Sequence, residues 1–293
     1  MKLKLLAIHF ILIFLLSSCS FLDTAFEEKD STIGMTAGEL YEEGKSFLSA
    51  EDFINAIRVF EILEARYPFG KYSTQAMLDL SYAHYASGNK ESAIIEANRF
   101  IRLYPNHSQV SYAYYLKALS NFDKDANVLT RFFAHDPSRY DITNLKNSFN
   151  DFTIIVNRFP NSLYAEDAIN RLRYIKNQIA KNELYIAKYY NKRSAHVAAV
   201  NRIQYMLENY GGTPSTKGGL LLMVDSYNKM KMFDLAYDAA RVLKKNYPNY
   251  KIVKNSDRTI SILKPTKKNI KKENNKNKNE ESWWDYLNIF NWI

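Results

Sequence analysis

The sequence predicts an all-α protein, a superhelical solenoid of five helix-turn-helix repeats. The first observation is that five segments close alike, on Tyr67-Pro68, Tyr104-Pro105, Phe159-Pro160, Tyr210-Gly211 and Tyr247-Pro248, an aromatic followed by Pro with Gly in its place once. The second is that a small residue stands twelve positions before each closing residue (Ala56, Ala93, Ser148, Ala199, Ala236). Phe60, Ala97, Phe152, Ile203 or Ala240 stands eight before it. The third is spacing: the closing residues fall at 68, 105, 160, 211 and 248, separated by 37, 55, 51 and 37 positions. Proline lacks an amide donor and clashes with the preceding turn, so it stops a helix. A small residue lets two helix axes approach closely, and an aromatic fills the space between neighbouring repeats.

The elements follow in chain order. Lys2 and Lys4 precede an apolar run, residues 5–16, broken only by His9. A run of twelve residues is too short to cross a bilayer, which takes about 20 in a helix, but it suits the core of a secretory signal. The following Leu16-Ser17-Ser18-Cys19 resembles the bacterial lipobox. That resemblance implies cleavage before Cys19, with a diacylglyceryl group on its sulfur and a further acyl chain on its amine. Several chains anchor stably where one is marginal. Ser20, rather than Asp, follows the cysteine, and by the same resemblance this favours the outer membrane. The alternative is a soluble exported protein with a chance cysteine at the cleavage site. Residues 19–35 read as a polar, acidic tether.

Residues 36–263 hold the repeats, which resemble the tetratricopeptide repeat, a helix-turn-helix unit of about 34 residues. Gly88 lies between the helices of the second repeat, where a sharp turn is needed. The long spacings mark insertions. In the third repeat the extra residues lie around Asp123 to Asp141 and include Arg131-Phe132-Phe133-Ala134-His135-Asp136-Pro137. This loop is either a contact surface or a plug whose two Phe pack on the solenoid. In the fourth repeat, longer helices between Ser162 and Asn191 absorb the excess. The Gly-rich run from Gly211 to Gly219 is expected to be a flexible turn between repeats; its order is not that of a phosphate-binding loop. After Pro265 the chain is nearly all Lys, Asn and Glu, so residues 264–282 read as a disordered linker. Residues 283–293 contain all three Trp. They read as a docking peptide or a membrane-interface segment, or else as a tail folded back on the solenoid.

Composition bounds the function. The chain has 293 residues, 46% of them hydrophobic and 24% charged, and a single Cys, which excludes an intramolecular disulfide framework and Cys-based zinc sites. Of the formal charge of +9, two units lie at Lys2 and Lys4 and a net four in residues 264–281, while Asp285 subtracts one, so residues 20–263 keep a surplus of four, spread among acidic residues. No basic stripe suggests a nucleic-acid partner. The five His show no paired metal spacing, and no carboxylate pair is distinguished, so no catalytic site, metal or cofactor is expected beyond the lipid on Cys19.

Several strings narrow the family: Arg66-Tyr67-Pro68-Phe69-Gly70, Arg99-Phe100-Ile101-Arg102-Leu103, Arg131-Phe132-Phe133 and Val197-Ala198-Ala199-Val200-Asn201-Arg202. With the lipobox and the repeats, they resemble the BamD family of lipoproteins from the outer-membrane β-barrel assembly machinery, from Cys19 to about residue 250. The resemblance implies a non-enzymatic, periplasm-facing subunit of the outer membrane. Its partners would be a POTRA-bearing barrel subunit, other assembly lipoproteins and unfolded barrel proteins, whose β-signals it receives. Arg66, Tyr67, Phe69 and Tyr72 are the candidate substrate contacts. Tyr67 also occupies the repeated aromatic position, where packing competes with binding; Phe69 and Tyr72 fall outside that pattern. Asn201 and Arg202 match the docking helix, and the resemblance gives Arg202 a carboxylate partner on the barrel subunit. The rivals are another repeat lipoprotein, serving pilus assembly or cell-wall growth, and a helical-repeat enzyme, for which no separate catalytic domain is large enough.

Overall fold

A computed structural model describes residues 31–124 and 141–264. The signal, Cys19, most of the tether, the insertion with Phe132 and Phe133, and the Lys-rich and Trp-rich C-terminal segments lie outside the described residues. Among those described are ten helices in five consecutive pairs, one pair per repeat: α1 Ala37–Ser49 and α2 Phe53–Arg66; α3 Lys71–Ala86 and α4 Lys90–Leu103; α5 Val110–Asp123 and α6 Thr143–Arg158; α7 Ala165–Lys192 and α8 His196–Tyr210; α9 Ser215–Lys229 and α10 Phe233–Asn246. A two-stranded antiparallel hairpin, β1 Lys251–Lys254 and β2 Ile260–Leu263, follows. The last stretch of the expected repeat region is therefore extended chain, not helix.

The repeated residues do what their spacing demands. All five residues twelve positions before the closing residue, and all five standing eight before, are fully buried at 0% exposure on the second helix of their pair. Where the helices of a pair cross, a hydroxyl reaches the facing backbone. Ser81 of α3 donates to the Ala93 carbonyl (2.9 Å), and Ser148 of α6 donates to that of Ala118 (2.9 Å).

Proline sets the helix ends. Tyr67, Tyr104, Phe159 and Tyr247 are C-caps with φ between −130° and −134° and ψ between 49° and 79°, outside the α region that a following Pro forbids. No Pro follows Tyr210, so it stays helical, and Gly211 takes the cap one residue later.

The turns inside the pairs also recur. Glu51, Gly88, Ser194 and Lys231 all have positive φ, each two residues before its second helix. At Glu51, Ser194 and Lys231 the closure is a Schellman motif. For example, the Lys231 amide donates to Asn228 O (2.9 Å) and that of Met232 to Tyr227 O (2.9 Å). Only Gly88 adopts this conformation without steric cost.

The chain divides into two compact units after Ala76, within α3. In the first, α1 opens with a capping box: the Glu39 amide donates to Thr36 Oγ1 (3.3 Å) and the Thr36 amide to Glu39 Oε2 (2.7 Å). This helix packs on α2 around Leu40, Val59, Phe60 and Leu63. Gly44 admits the Phe60 ring, since a Cβ there would lie 2.5 Å from it.

In the second unit each helix from α4 to α10 packs on its successor, and the 28-residue α7 also reaches α9. That single helix absorbs the fourth repeat's extra length. The expected Gly-rich turn is shorter than the run that suggested it, because Gly218 and Gly219 lie inside α9. A Cβ at Gly219 would sit 2.5 Å from Met206 Cε and 3.2 Å from Ile203 Cγ2, so this glycine serves the close approach of α8 and α9.

Candidate binding surfaces

In the first unit the four candidate substrate contacts divide into two kinds. Arg66 Nη1 donates to the Thr32 carbonyl (2.5 Å) and the Tyr67 hydroxyl to the Met35 carbonyl (2.9 Å). Both side chains hold the segment ahead of α1, where Thr32 is fully buried. The end of the expected tether is thus folded structure. Phe69, by contrast, is 88% exposed in the turn before α3. Tyr72 lies one turn further on, its ring 5.6 Å from that of Tyr41 and against Gly38. It lines a surface recess with Met35, Gly38, Glu39, Glu42 and Glu43. Hydrogen bonds from the Thr36 backbone and side chain hold the Glu39 carboxyl below the usual range, so the rim of this recess is anionic. The arrangement offers an exposed ring and a half-buried ring beside carboxylates, which suits an extended chain with apolar and cationic side chains.

In the second unit Asn201 is exposed on α8, in line with Val197 one turn before it, which is 61% exposed. Arg202 is not a free cation. Its Nη1 donates to Glu183 Oε2 (3.1 Å), while Lys146 Nζ holds Glu183 Oε1 (3.2 Å). Glu183, on α7, has a side chain only 1% exposed, whereas those of Arg202 and Lys146 are 42% and 36% exposed. A buried carboxylate needs such pairing, and two cations from α6 and α8 provide it. The same pairing fixes the Arg202 fork at the surface with donors left over, since a guanidinium has five. Lys146 also lies 5.7 Å from the centre of the Tyr205 ring, a half-exposed neighbour on α8.

Two further polar groups tie this unit together. Asn191 at the end of α7 donates to Asp225 Oδ2 (2.7 Å), and its Oδ1 takes bonds from Ser226 Oγ (3.2 Å) and from the His196 ring (2.7 Å). Asp151 on α6 pairs with Lys117 Nζ (3.0 Å) and accepts from Asn121 Nδ2 (3.0 Å). Burial nonetheless raises its carboxyl above the ordinary value, outweighing both partners.

Glu183 and Lys146 escape the sequence because neither lies in a motif. They become visible only once α6, α7 and α8 are packed. The buried Thr32 is equally unmarked. Val197 opens a string that the sequence singles out, and it falls off the buried face by spacing alone, the core positions of its helix being Ala199, Val200 and Ile203.

A family model described as an outer membrane lipoprotein, YfiO, matches residues 34–256. The outer membrane protein assembly factor BamD of Neisseria meningitidis serogroup B is 34% identical over 82% of this chain and 90% of its own length. That of Pasteurella multocida is 38% identical over 71% and 80% respectively. Among solved structures, the complex of the TPR2AB domain of yeast Sti1 with an HSP90 peptide aligns with a TM-score of 0.39 and 15% identity, covering 73% of this chain and 78% of that one.

Proposed function

Because the chain belongs to the YfiO family of outer-membrane lipoproteins, we propose that it serves in outer membrane protein assembly as a subunit of the β-barrel assembly machinery. One observation carries this. The family match takes in all ten helices, and the relatives it resembles over about four-fifths of its length are named for that role. A pilus or cell-wall lipoprotein is not favoured by relatives of that name.

In this reading the protein holds partners and performs no chemistry, with no cofactor beyond a lipid on Cys19 anchoring it to the outer membrane, facing the periplasm. The exposed face of α8, with Val197 and Asn201, meets a POTRA-bearing barrel subunit. Arg202, oriented by Glu183, offers its remaining donors to a carboxylate there. Phe69 and Tyr72 receive the β-signals of unfolded barrel proteins, whereas Arg66 and Tyr67 support that surface by fixing residues 32–35. Other assembly lipoproteins complete the complex.

The test is purification of the tagged protein from detergent-solubilised envelopes, with identification of what accompanies it. A POTRA-bearing barrel protein and further lipoproteins are the expected companions. Recovery without any such barrel protein sinks the proposal.

A further inference from the structure

The hairpin after the last repeat has one guarded edge and one free edge. Pairs in an antiparallel ladder alternate between those that exchange backbone hydrogen bonds and those whose amides and carbonyls point outward. The Asn255 amide donates to the Thr259 carbonyl (3.0 Å), next to the Lys254–Ile260 pair. By alternation, Lys254–Ile260 and Ile252–Ile262 turn their backbone groups outward, whereas Val253–Ser261 and Lys251–Leu263 exchange theirs. Asn228 of α9 takes the outward groups of Ile260 as a further strand would, donating from Nδ2 to its carbonyl (2.8 Å) and accepting from its amide at Oδ1 (3.0 Å). This clasp guards the β2 edge.

The β1 edge has no such guard. The amides and carbonyls of Ile252 and Lys254 point away from β2, without a partner among the described residues. Lys251, Val253 and Lys254 are exposed, and Ile252 is half-buried. The hairpin is fastened by its face instead: Ile260 is buried, Ile252 and Ile262 pack on the core, and Lys254 Nζ lies 3.9 Å over the Tyr237 ring of α10. The fold thus holds a two-stranded sheet in place and leaves one edge open to solvent.

We propose that the β1 edge takes an acidic, extended segment of another protein as a third, antiparallel strand. A free edge is a template for main-chain pairing, and a two-stranded ribbon gains from a third strand. Charge selects which strand. Lys251 and Lys254 stand at the two ends of β1, and no carboxylate pairs with either ammonium among the described residues. Residues 251–264 hold four cations against Asp257, whose carboxylate is bound within the turn by the Thr259 amide (3.0 Å) and hydroxyl (2.6 Å). Lysines on an edge repel a second copy, which would line four ammoniums along one seam, but they attract a strand with carboxylates opposite them. Read antiparallel, the complement of Lys251-Ile252-Val253-Lys254 is an acidic residue, two β-branched residues and a second acidic residue.

The experiment follows amide hydrogen exchange in residues 19–293 carrying Cys19→Ser, titrated with a peptide blocked at both ends and centred on Glu-Val-Thr-Glu. No assembly partner is needed. In the free chain the Ile252 and Lys254 amides should exchange faster than that of Val253, and millimolar peptide should slow the first two by about tenfold or more. Replacing both Glu of the peptide by Lys should weaken binding at least about tenfold, and salt should weaken the acidic peptide. N-methylation of its first Glu and its Thr, whose amides face the Lys254 and Ile252 carbonyls, should also cost about tenfold, while N-methylation of its Val and second Glu changes binding by less than about twofold. Absence of protection at Ile252 and Lys254 overturns the proposal. Equal weakening by the two methylation patterns does so too, because charge alone would then carry the binding. If these amides are already protected without peptide, a loss of protection on dilution gives the edge to a second copy, and a loss on deleting residues 265–293 gives it to the chain's own C-terminus; either result overturns the assignment.

Discussion

Arg202 shows how a side chain named for docking is first a structural group. Replacing it by Glu would set a second carboxylate against Glu183, whose side chain is 1% exposed, with Lys146 left to balance both. The expected loss is about 2–3 kcal/mol by chemical denaturation. Arg202→Lys keeps the charge and is expected to hold the fold while weakening recovery of the barrel subunit, because an ammonium lacks the fork. Reduced recovery with Arg202→Glu alone would not separate docking from folding. Asp151 poses the opposite case. Its carboxyl is raised by burial, so the native state binds the proton more tightly than the unfolded chain, with its ordinary value of 3.8. Its contribution to stability is full below that value and is lost as pH rises through the raised one. Asp151→Asn cannot ionise and should therefore gain on the wild type between about pH 3.5 and pH 7. Urea midpoints measured across that range check it; a constant difference refutes it. Neither Glu183 nor Asp151 was legible in the sequence, since a carboxylate on a helix reads as solvated until a neighbouring helix covers it.

At the scale of the element, the sequence was most legible where backbone chemistry is local. The aromatic-Pro endings predicted the helix ends because Pro excludes the α region from the residue before it, and four C-caps share nearly the same dihedrals. The exception is informative, since without Pro the helix ending at Tyr210 runs one residue longer. The intra-pair turns were legible only at Gly88, because Glu51, Ser194 and Lys231 adopt the same left-handed conformation without the residue that signals it. Such side chains are strained there, and Lys231→Gly should raise stability by about 0.5–1 kcal/mol. A fall in the thermal midpoint would show that the Lys231 side chain contributes more than the strain costs. Gly219 was misread for a related reason: glycine in a run suggests a turn, whereas here it sits within a helix to let Met206 and Ile203 approach.

For the whole molecule, the lipid predicts the mode of attachment. If Cys19 carries it, Cys19→Ser should shift most of the protein out of the membrane fraction, whereas the wild type stays there through a salt wash. Fractionation of the variant unchanged at high salt would remove Cys19 as the principal anchor. The sequence by itself determined the family, the five helix pairs, the buried small residues and the helix ends, because these depend on spacing along one chain and on what Pro and small side chains permit nearby. Tertiary structure alone decided that Arg66 and Tyr67 fasten residues 32–35, that Arg202 is tied to Glu183, and that the repeats end in a hairpin clasped by Asn228. Those outcomes depend on which groups, distant in sequence, share a low-dielectric neighbourhood, and a buried carboxylate or strand edge must find its partner there.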